Sequence, residues 1–358
     1  MRPCHVPHTK TLMTENTKPI PSQNSLHYIM GVFYFAFRVL VGAYAISVLG
    51  ALFIHFFISE ETTDLAGFVN SILYFVMIGT LILFPITVLL RRRDLALMLL
   101  PSVIVWLIWT IPAYLPKSAP ISPQNAQEIT ILTYNVWANN PDRGDVTRII
   151  QEANTDIVVV QELSFDVSDA IEIDLKDLYP YMQLKPAGIP GMGILSKYPL
   201  TDCETWRIIS QYQQRCVVTT QEASFVLYNA HPLTPLAQNG FSLHKRDLDS
   251  ILTRANADIE AGKTVILAGD WNLTPLSDDY EYLTKQFKDA YVETGQGIGF
   301  TYRLQSFRFI QFVGGLPIIR IDYVFYQPPV VALEARVWHE NAGSDHMPVF
   351  VRLAIPLE

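Results

Sequence analysis

Charge and cysteine are both scarce in this chain. Only 17% of its 358 residues are Asp, Glu, Lys or Arg, against 50% hydrophobic residues. A mean hydropathy of +0.21 is too apolar for a wholly soluble chain and too polar for one embedded in lipid throughout, so the average hides two unlike parts. Three cysteines, Cys4, Cys203 and Cys216, exclude a cysteine-rich zinc site. Internal repeats are absent. Basic residues are few where they would matter most: residues 1–115 carry seven Lys or Arg and five Asp or Glu, whereas the remainder carries 19 and 29, a net charge of −10. A domain that acidic repels a polyanion at long range, which argues against a dedicated nucleic-acid binder unless a metal or a local basic patch compensates.

What the first part has is long apolar runs. Three of them, at about 29–58, 66–90 and 95–115, each reach the ~20 residues that cross a hydrocarbon core. The expected organisation is a tail at 1–28, a three-helix transmembrane anchor at 29–115, a Pro- and Ser-rich linker at 116–127 and a catalytic domain at 128–358. The polar tail does not form the short basic start of a cleaved signal peptide, so the anchor is expected to stay attached. Arg2, Lys10 and Lys18 in the tail and Arg91, Arg92 and Arg93 in the second loop face no Lys or Arg in the first loop. That asymmetry places the N-terminus in the cytoplasm and, after three crossings, the catalytic domain outside it. Arg38 is expected to reach the cytoplasmic headgroups along its stem. His5 and His8 in the tail could suggest a metal, but a disordered polar tail is the stronger expectation.

Beyond the linker, short β-rich runs alternate with helical ones. Strands are expected at 128–136, 156–161, 193–196, 215–220, 224–230, 264–268, 319–326, 332–338 and 349–353, with helices around 145–153 and 242–261, a mixed α/β or α+β pattern. Asn135, Glu162, His231, Asp270, Asn272, Asp322, Asp345 and His346 each lie in or just past an apolar strand, where rigid elements present side chains to a shared crevice. Singly, each has a plain alternative: a strand-end hydrogen bonder for Asn135, a helix cap for Glu162, an Asx turn for Asp270, a core histidine for His231 or His346. Eight together point to a site.

The runs LTYNV (132–136), VVQEL (159–163), GILSKYPL (193–200), YNAHP (228–232), LAGDWN (267–272), RIDYVF (320–325) and GSDHMPV (343–349) resemble, in order, the endonuclease/exonuclease/phosphatase superfamily, whose type member is pancreatic deoxyribonuclease. The resemblance covers essentially residues 128–356. GDWN with a downstream SDH is its most specific pair. It implies an α/β, four-layer sandwich of two packed β-sheets flanked by helices, and phosphoester hydrolysis with Mg²⁺ or Mn²⁺. It further implies Glu162, Asn135 and Asp345 as metal ligands, His346 as base or charge stabiliser oriented by Asp322, Asp270 as the group that positions or activates water, and Asn272 and His231 as phosphate binders. Trp137 stands where nuclease branches that cut at abasic sites often carry an acidic residue, which makes a second metal less secure; with no Lys or Arg cluster after the motifs and a net charge of −10, this weighs against DNA repair.

The leading expectation is therefore a membrane-anchored phosphodiesterase or phosphatase, integral to a bacterial inner or plasma membrane and working outside the cytoplasm. Its partners are the bilayer and a phosphoester substrate, which could be a lipid headgroup, a small phosphoester or a nucleic acid; no protein partner is implied. A nuclease of the same fold and an inactive binding module are the alternatives, the latter disfavoured by the intact polar set. Two features stay open. Residues 299–316 are rich in aromatics, with Phe300, Tyr302, Phe307, Phe309 and Phe312 interleaved with Arg303 and Arg308, and read equally as a recognition loop or as a strand. Cys203 and Cys216 read equally as a disulfide or as two thiols.

Overall fold

The computed structural model describes residues 23–118, 120–236, 240–303 and 315–357, with side chains from residue 27 onward. The tail residues Arg2, Cys4, His5, His8, Lys10 and Lys18, and Phe307, Arg308, Phe309 and Phe312 of the aromatic segment, lie outside the described residues.

Three long apolar helices come first: α1 (Gln23–Phe57), α2 (Asp64–Leu89) and α3 (Arg93–Tyr114). Each is long and apolar enough to cross a membrane. They pack through Val41, Ala45, Leu95 and Leu99 in one cluster and Val48, Leu52, Leu73, Met77 and Trp106 in another. Several of their hydroxyls bond back along their own helix, Ser71 to Gly67 O at 2.8 Å and Thr110 to Trp106 O at 2.7 Å among them, while Tyr44 donates across to Val76 O at 2.6 Å. Arg38 meets Asp94 at 2.6 Å, at the end of the bundle that carries the arginine loop.

Among the described residues, twelve strands follow: β1 (Ala126–Asn135), β2 (Ile157–Gln161), β3 (Tyr181–Lys185), β4 (Met192–Ser196), β5 (Leu200–Trp206), β6 (Gln213–Thr219), β7 (Ser224–Ala230), β8 (Val265–Asp270), β9 (Lys288–Asp289), β10 (Asp322–Tyr326), β11 (Val331–Val337) and β12 (Val349–Pro356). They form two six-stranded sheets, ordered β11-β12-β1-β2-β4-β3 and β5-β6-β7-β8-β10-β9. Helices α4 (Arg143–Ala153) and α5 (Phe165–Leu175) cover the first sheet, while α6 (Gly240–Glu260) and α7 (Asp278–Thr284) cover the second; α8 (Ala290–Thr294) is a short turn beside β10 and β11. This is the expected four-layer α/β sandwich.

Strand periodicity explains the layers. In β1, Ile129 and Ile131 enter the core between the sheets while Leu132 and Tyr134 pack on the outer helices. The same division separates Ile157 and Val159 from Val158 and Val160 in β2, and Ile266 and Ala268 from Val265 and Leu267 in β8. Successive side chains of a strand point to opposite faces. Each sheet also holds one parallel pair at its centre, β1 with β2 and β7 with β8. The carboxyl ends of both pairs lie at the same end of the sandwich, and the residues leading into β10 and β12 arrive there by antiparallel pairing: Asp322 opposite Asp270, and Val349 opposite Thr133.

The linker does not hold the domain at a distance. Lys117 Nζ donates to Tyr291 O at 3.1 Å and Gly297 N donates to Ala113 O at 2.8 Å, so the sandwich rests against the helix bundle. Cys203 and Cys216, on neighbouring strands β5 and β6, are joined by a disulfide.

Candidate active site

Following the inter-sheet face of each strand to its end gives the site. After Ile129 and Ile131 the face continues through Thr133 to Asn135; after Ile157 and Val159 it reaches Gln161; after Phe225 and Leu227 it reaches Asn229 and then His231; after Ile266 and Ala268 it reaches Asp270. Where the apolar core between the sheets ends, the same period carries polar side chains into one buried cluster.

These side chains bond across the gap between sheets. Asn135 Nδ2 donates to Asp270 Oδ2 at 2.9 Å, and Gln161 Nε2 to Asn229 Oδ1 at 2.7 Å. Gln213 clamps the His231 peptide from both sides, accepting its N–H at 2.7 Å and donating to its carbonyl at 2.8 Å. Ser344 Oγ donates to Asn135 O at 2.7 Å and accepts from His346 N at 3.0 Å, which ties the segment before β12 to the end of β1. Buried amides and hydroxyls satisfied in this way fix each other's orientation.

Turns aim the remainder. Glu162 has φ +56° and Asn272 φ +50°, so each leaves its strand through a left-handed turn. Glu162 Oε2 accepts from Ala138 N at 3.0 Å, and Asn272 Nδ2 donates to Pro232 O at 3.0 Å beside His231. Just before Asp270, Gly269 has φ +151°, and a Cβ there would lie 2.0 Å from Ala230 O, a contact with backbone that no rotamer relieves.

Asp270 is 1% exposed, with Oδ1 accepting from Asn272 N at 3.0 Å. Its proton affinity is raised, first by burial and then by the neighbouring Asp322 charge, against the opposing pull of His346. His346 Nδ1 faces Asp322 Oδ2 at 2.9 Å, and its Nε2 lies 3.7 Å from Asp270 Oδ2. Burial alone would depress the imidazole, but Asp322 and Asp270 outweigh it and lift the pKa to about 10, so His346 is an imidazolium held between two carboxylates. His231 is the opposite case. Burial pushes it down to about 4, so its 3.7 Å approach to Asp270 is not an ion pair, and its Nδ1 has no partner.

A cavity of about 330 Å³ opens over this cluster, lined by Glu162, His231, Asp270, Asn272, Asp345 and His346 together with Tyr302. Asp345 is raised by burial and by the nearby Glu162 charge. Tyr302, whose ring stands 4.9 Å from that of His346, is pushed up to about 12 by burial and by the charges of Asp345, Asp270 and Glu162. All eight residues expected from the sequence are therefore brought together: six line the cavity, and Asn135 and Asp322 stand directly behind Asp270 and His346.

The donor set suits a hard divalent cation. Asp270, Asp322 and His346 bring one side-chain oxygen or nitrogen each within 4.8 Å of one another; with His346 an imidazolium the lone pairs there are those of the carboxylates, and Asp322 Oδ1 is buried without a partner. Glu162 and Asp345 crowd further negative charge at the same opening. Oxygen-rich, anionic clusters of this kind favour Mg²⁺ or Mn²⁺ over softer metals. The Asn135 amide is engaged at both ends, Nδ2 with Asp270 and Oδ1 with Trp137 N at 3.0 Å, which leaves one lone pair on Oδ1.

The profile of the Endonuclease/Exonuclease/phosphatase family matches residues 132–346, from the strand that ends at Asn135 to His346 itself. The chain belongs to this family. Its members are hydrolases acting on phosphoesters and typically depend on a divalent metal. No curated protein sequence matches the chain. Among solved structures, truncated TDP2 from Caenorhabditis elegans superposes with a TM-score of 0.53 at 17% identity, covering 63% of this chain and 97% of that one. A 3′-5′ exonuclease (NExo) from Neisseria meningitidis gives 0.52 at 17%, covering 62% and 98%. An endonuclease/exonuclease/phosphatase from Bacteroides vulgatus gives 0.51 at 19%, covering 65% and 100%. At these identities the likeness is one of fold.

Three kinds of functional residue escaped the sequence. Gln161, Asn229 and Gln213 support the site, and the first two could have been found by extending strand parity past the last apolar residue. Tyr302 lies in the aromatic stretch but acts beside His346. Ser71, a residue of the second apolar helix, also lines the cavity, and no local pattern marks it.

Proposed function

We propose that the protein is a membrane-anchored, divalent-metal-dependent phosphodiesterase or phosphatase whose active site lies outside the cytoplasm. The observation that carries this reading is the single cavity shared by Glu162, Asp270, Asp345, His231 and His346 at the end of the inter-sheet core. A cation held by Glu162 and Asp345, with the remaining lone pair of Asn135, would neutralise charge on the phosphoryl oxygens.

The other roles belong to this chain's own groups. Asn135 and the Asn272 N–H fix both oxygens of Asp270, which then holds the attacking water in line. Asp322 accepts from Nδ1 of His346 and fixes the angle of its ring, whose other nitrogen donates to a phosphoryl oxygen. Neutral His231 and Asn272, both beside Asp270, contact the phosphate. Water adds at phosphorus, one P–O ester bond breaks and the departing oxygen takes a proton, so a diester yields a phosphomonoester and an alcohol.

The lysine and arginine asymmetry of the loops supports an extracytoplasmic domain. So does the Cys203–Cys216 disulfide, of a kind that persists in oxidising compartments. Full-length protein in detergent should hydrolyse bis(4-nitrophenyl) phosphate with Mg²⁺ or Mn²⁺ and stop on addition of EDTA. Turnover that continues unchanged in excess EDTA refutes the metal-dependent reading, and a cytoplasmic-type reporter active when fused after Leu115 reverses the topology.

A further inference from the structure

The active-site cavity is not built by the sandwich alone. Ser71 of α2 lines it together with the catalytic residues, so a helix that crosses the membrane contributes part of its wall. The loop that follows Asp270 is anchored on the same helix: Thr274 Oγ1 donates to Asn70 O at 3.1 Å, and Leu276 is seated among Val48, Leu52, Leu73, Met77 and Trp106. Nearby, the ring of Phe241 occupies the space where a Cβ of Gly67 would be, at 2.1 Å, and Ser59 Oγ donates to Asp278 Oδ2 at 2.7 Å. These contacts fix the site against the bundle.

They also fix its depth. At a rise of about 1.5 Å per residue, a hydrocarbon core of about 30 Å spans about 20 residues. Counted from Leu89, beside the arginine loop, that reaches Val69, next to Asn70; counted from Asp94 it reaches Tyr114; counted from its partner Arg38 it reaches Ile58. The polar contacts fall at the same level: His55 Nδ1 and Asn70 Oδ1 are 2.9 Å apart, Asn70 Nδ2 donates to Glu60 at 2.7 Å, and Ala113 O accepts from Gly297 N. Asn70 and Ser71 therefore mark the boundary between acyl chains and headgroups, which is where a phospholipid carries its phosphodiester. The cavity mouth has matching character, with Ile189 and Leu236 exposed beside the polar floor.

Resting on the phosphoester-hydrolase reading, we infer that the substrate is a phospholipid of the adjacent leaflet, whose phosphodiester enters the cavity past Ser71 while its acyl chains stay in the bilayer. A nucleic acid meets the reverse conditions. Its charge is repelled by a domain of net charge −10, and its bulk is excluded on the side where α2 and the bilayer close the site.

The test uses the full chain reconstituted in phosphatidylethanolamine/phosphatidylglycerol vesicles with Mg²⁺ or Mn²⁺, assayed for headgroup or phosphate-ester release. Bis(4-nitrophenyl) phosphate and single-stranded DNA are measured in parallel. Lipid should be hydrolysed faster than DNA, and Ser71→Trp and Leu236→Asp should each lower the ratio of lipid to nitrophenyl-ester turnover by about tenfold or more. Nitrophenyl-ester hydrolysis with intact lipid, DNA cleaved as fast as lipid, or an unchanged ratio in both variants overturns the inference and leaves the hydrolase standing. If wild type cleaves none of the three, the hydrolase reading falls and takes this inference with it.

Discussion

The helix bundle and the sandwich solve the burial of polar groups in opposite ways. In the bundle, Ser47, Ser71, Ser102 and Thr110 turn their hydroxyls back on carbonyls of their own helix, and the contacts between helices are mainly apolar, with polar bonds at Tyr44 to Val76 O, at His55 with Asn70 and at the Arg38–Asp94 pair. In the sandwich the buried polar side chains reach across elements: Asn135 to Asp270, Gln161 to Asn229, Gln213 to the His231 peptide and Arg215 to Asp258. Locally satisfied hydroxyls make a helix that lipid tolerates and that neighbouring apolar residues can replace. Cross-element bonds specify one arrangement and lose it when one partner goes. The bundle is thus built to hold a position, and the sandwich to hold a geometry.

That contrast breaks most sharply at the site. Asp270→Asn keeps the side-chain shape and the hydrogen bond from Asn272 N, but it sets an amide N–H against Asn135 Nδ2 and removes the charge proposed to hold water; phosphodiester turnover of the folded protein should fall about a thousandfold. A tenfold loss or less in kcat would move the water-holding role elsewhere. Asp322→Asn acts one step back, through His346, and should cost about 10- to 100-fold, with kcat reduced more than KM is raised; an effect confined to KM would make Asp322 part of the binding surface instead.

Much of this was legible in the sequence, and the reason is periodicity. Apolar alternation located β1, β2, β4, β6, β7, β8, β10, β11 and β12, and the polar residue at each buried strand's end named the site. The strands overlooked, β3, β5 and the two-residue β9, lie at sheet edges; in β3 and β5 Tyr181 and Lys185, or Thr201 to Glu204, are exposed and break any apolar run, and β9 is too short to show one. Glu162 leaves the period through its left-handed turn, so parity alone would misplace its side chain. Contacts between remote segments carried no signal: Ser71 and Asp270 are 199 positions apart, and only the docking of Leu276 and Thr274 on α2 brings them to one cavity.

Away from the site the comparison concerns stability. Asp258 accepts from Arg215 at 2.6 Å through both carboxylate oxygens, and from Tyr228 and Lys263 at 2.6 and 2.9 Å. Asp258→Asn should destabilise the sandwich by about 3 kcal/mol, measured by denaturant unfolding. Burial would raise this carboxyl, but the hydrogen bonds from Arg215, Tyr228 and Lys263 outweigh it and hold the group well below the ordinary 3.8. A depressed carboxyl contributes its stability above the unfolded value and loses it as pH falls toward the folded one. The gap between wild type and variant should therefore be full at pH 6 and shrink below about pH 4; a gap independent of pH would assign the loss to packing. In the bundle, Ser102→Ala removes a hydroxyl bonded mainly to its own helix and should change stability by only about 0.5 kcal/mol. A loss comparable to that of Asp258→Asn would erase the distinction between the two regions.

The central claim is that Glu162 and Asp345, at strand ends of the first sheet, hold one divalent cation beside the cluster of Asp270, His231 and His346. Manganese binding to the full-length, chelator-stripped protein, followed by electron paramagnetic resonance, tests it most directly. The prediction is a bound Mn²⁺ that Mg²⁺ displaces and that the double variant Glu162→Ala/Asp345→Ala no longer retains. A wild-type chain that leaves all of its Mn²⁺ free, or a double variant that binds as tightly as wild type, would contradict it.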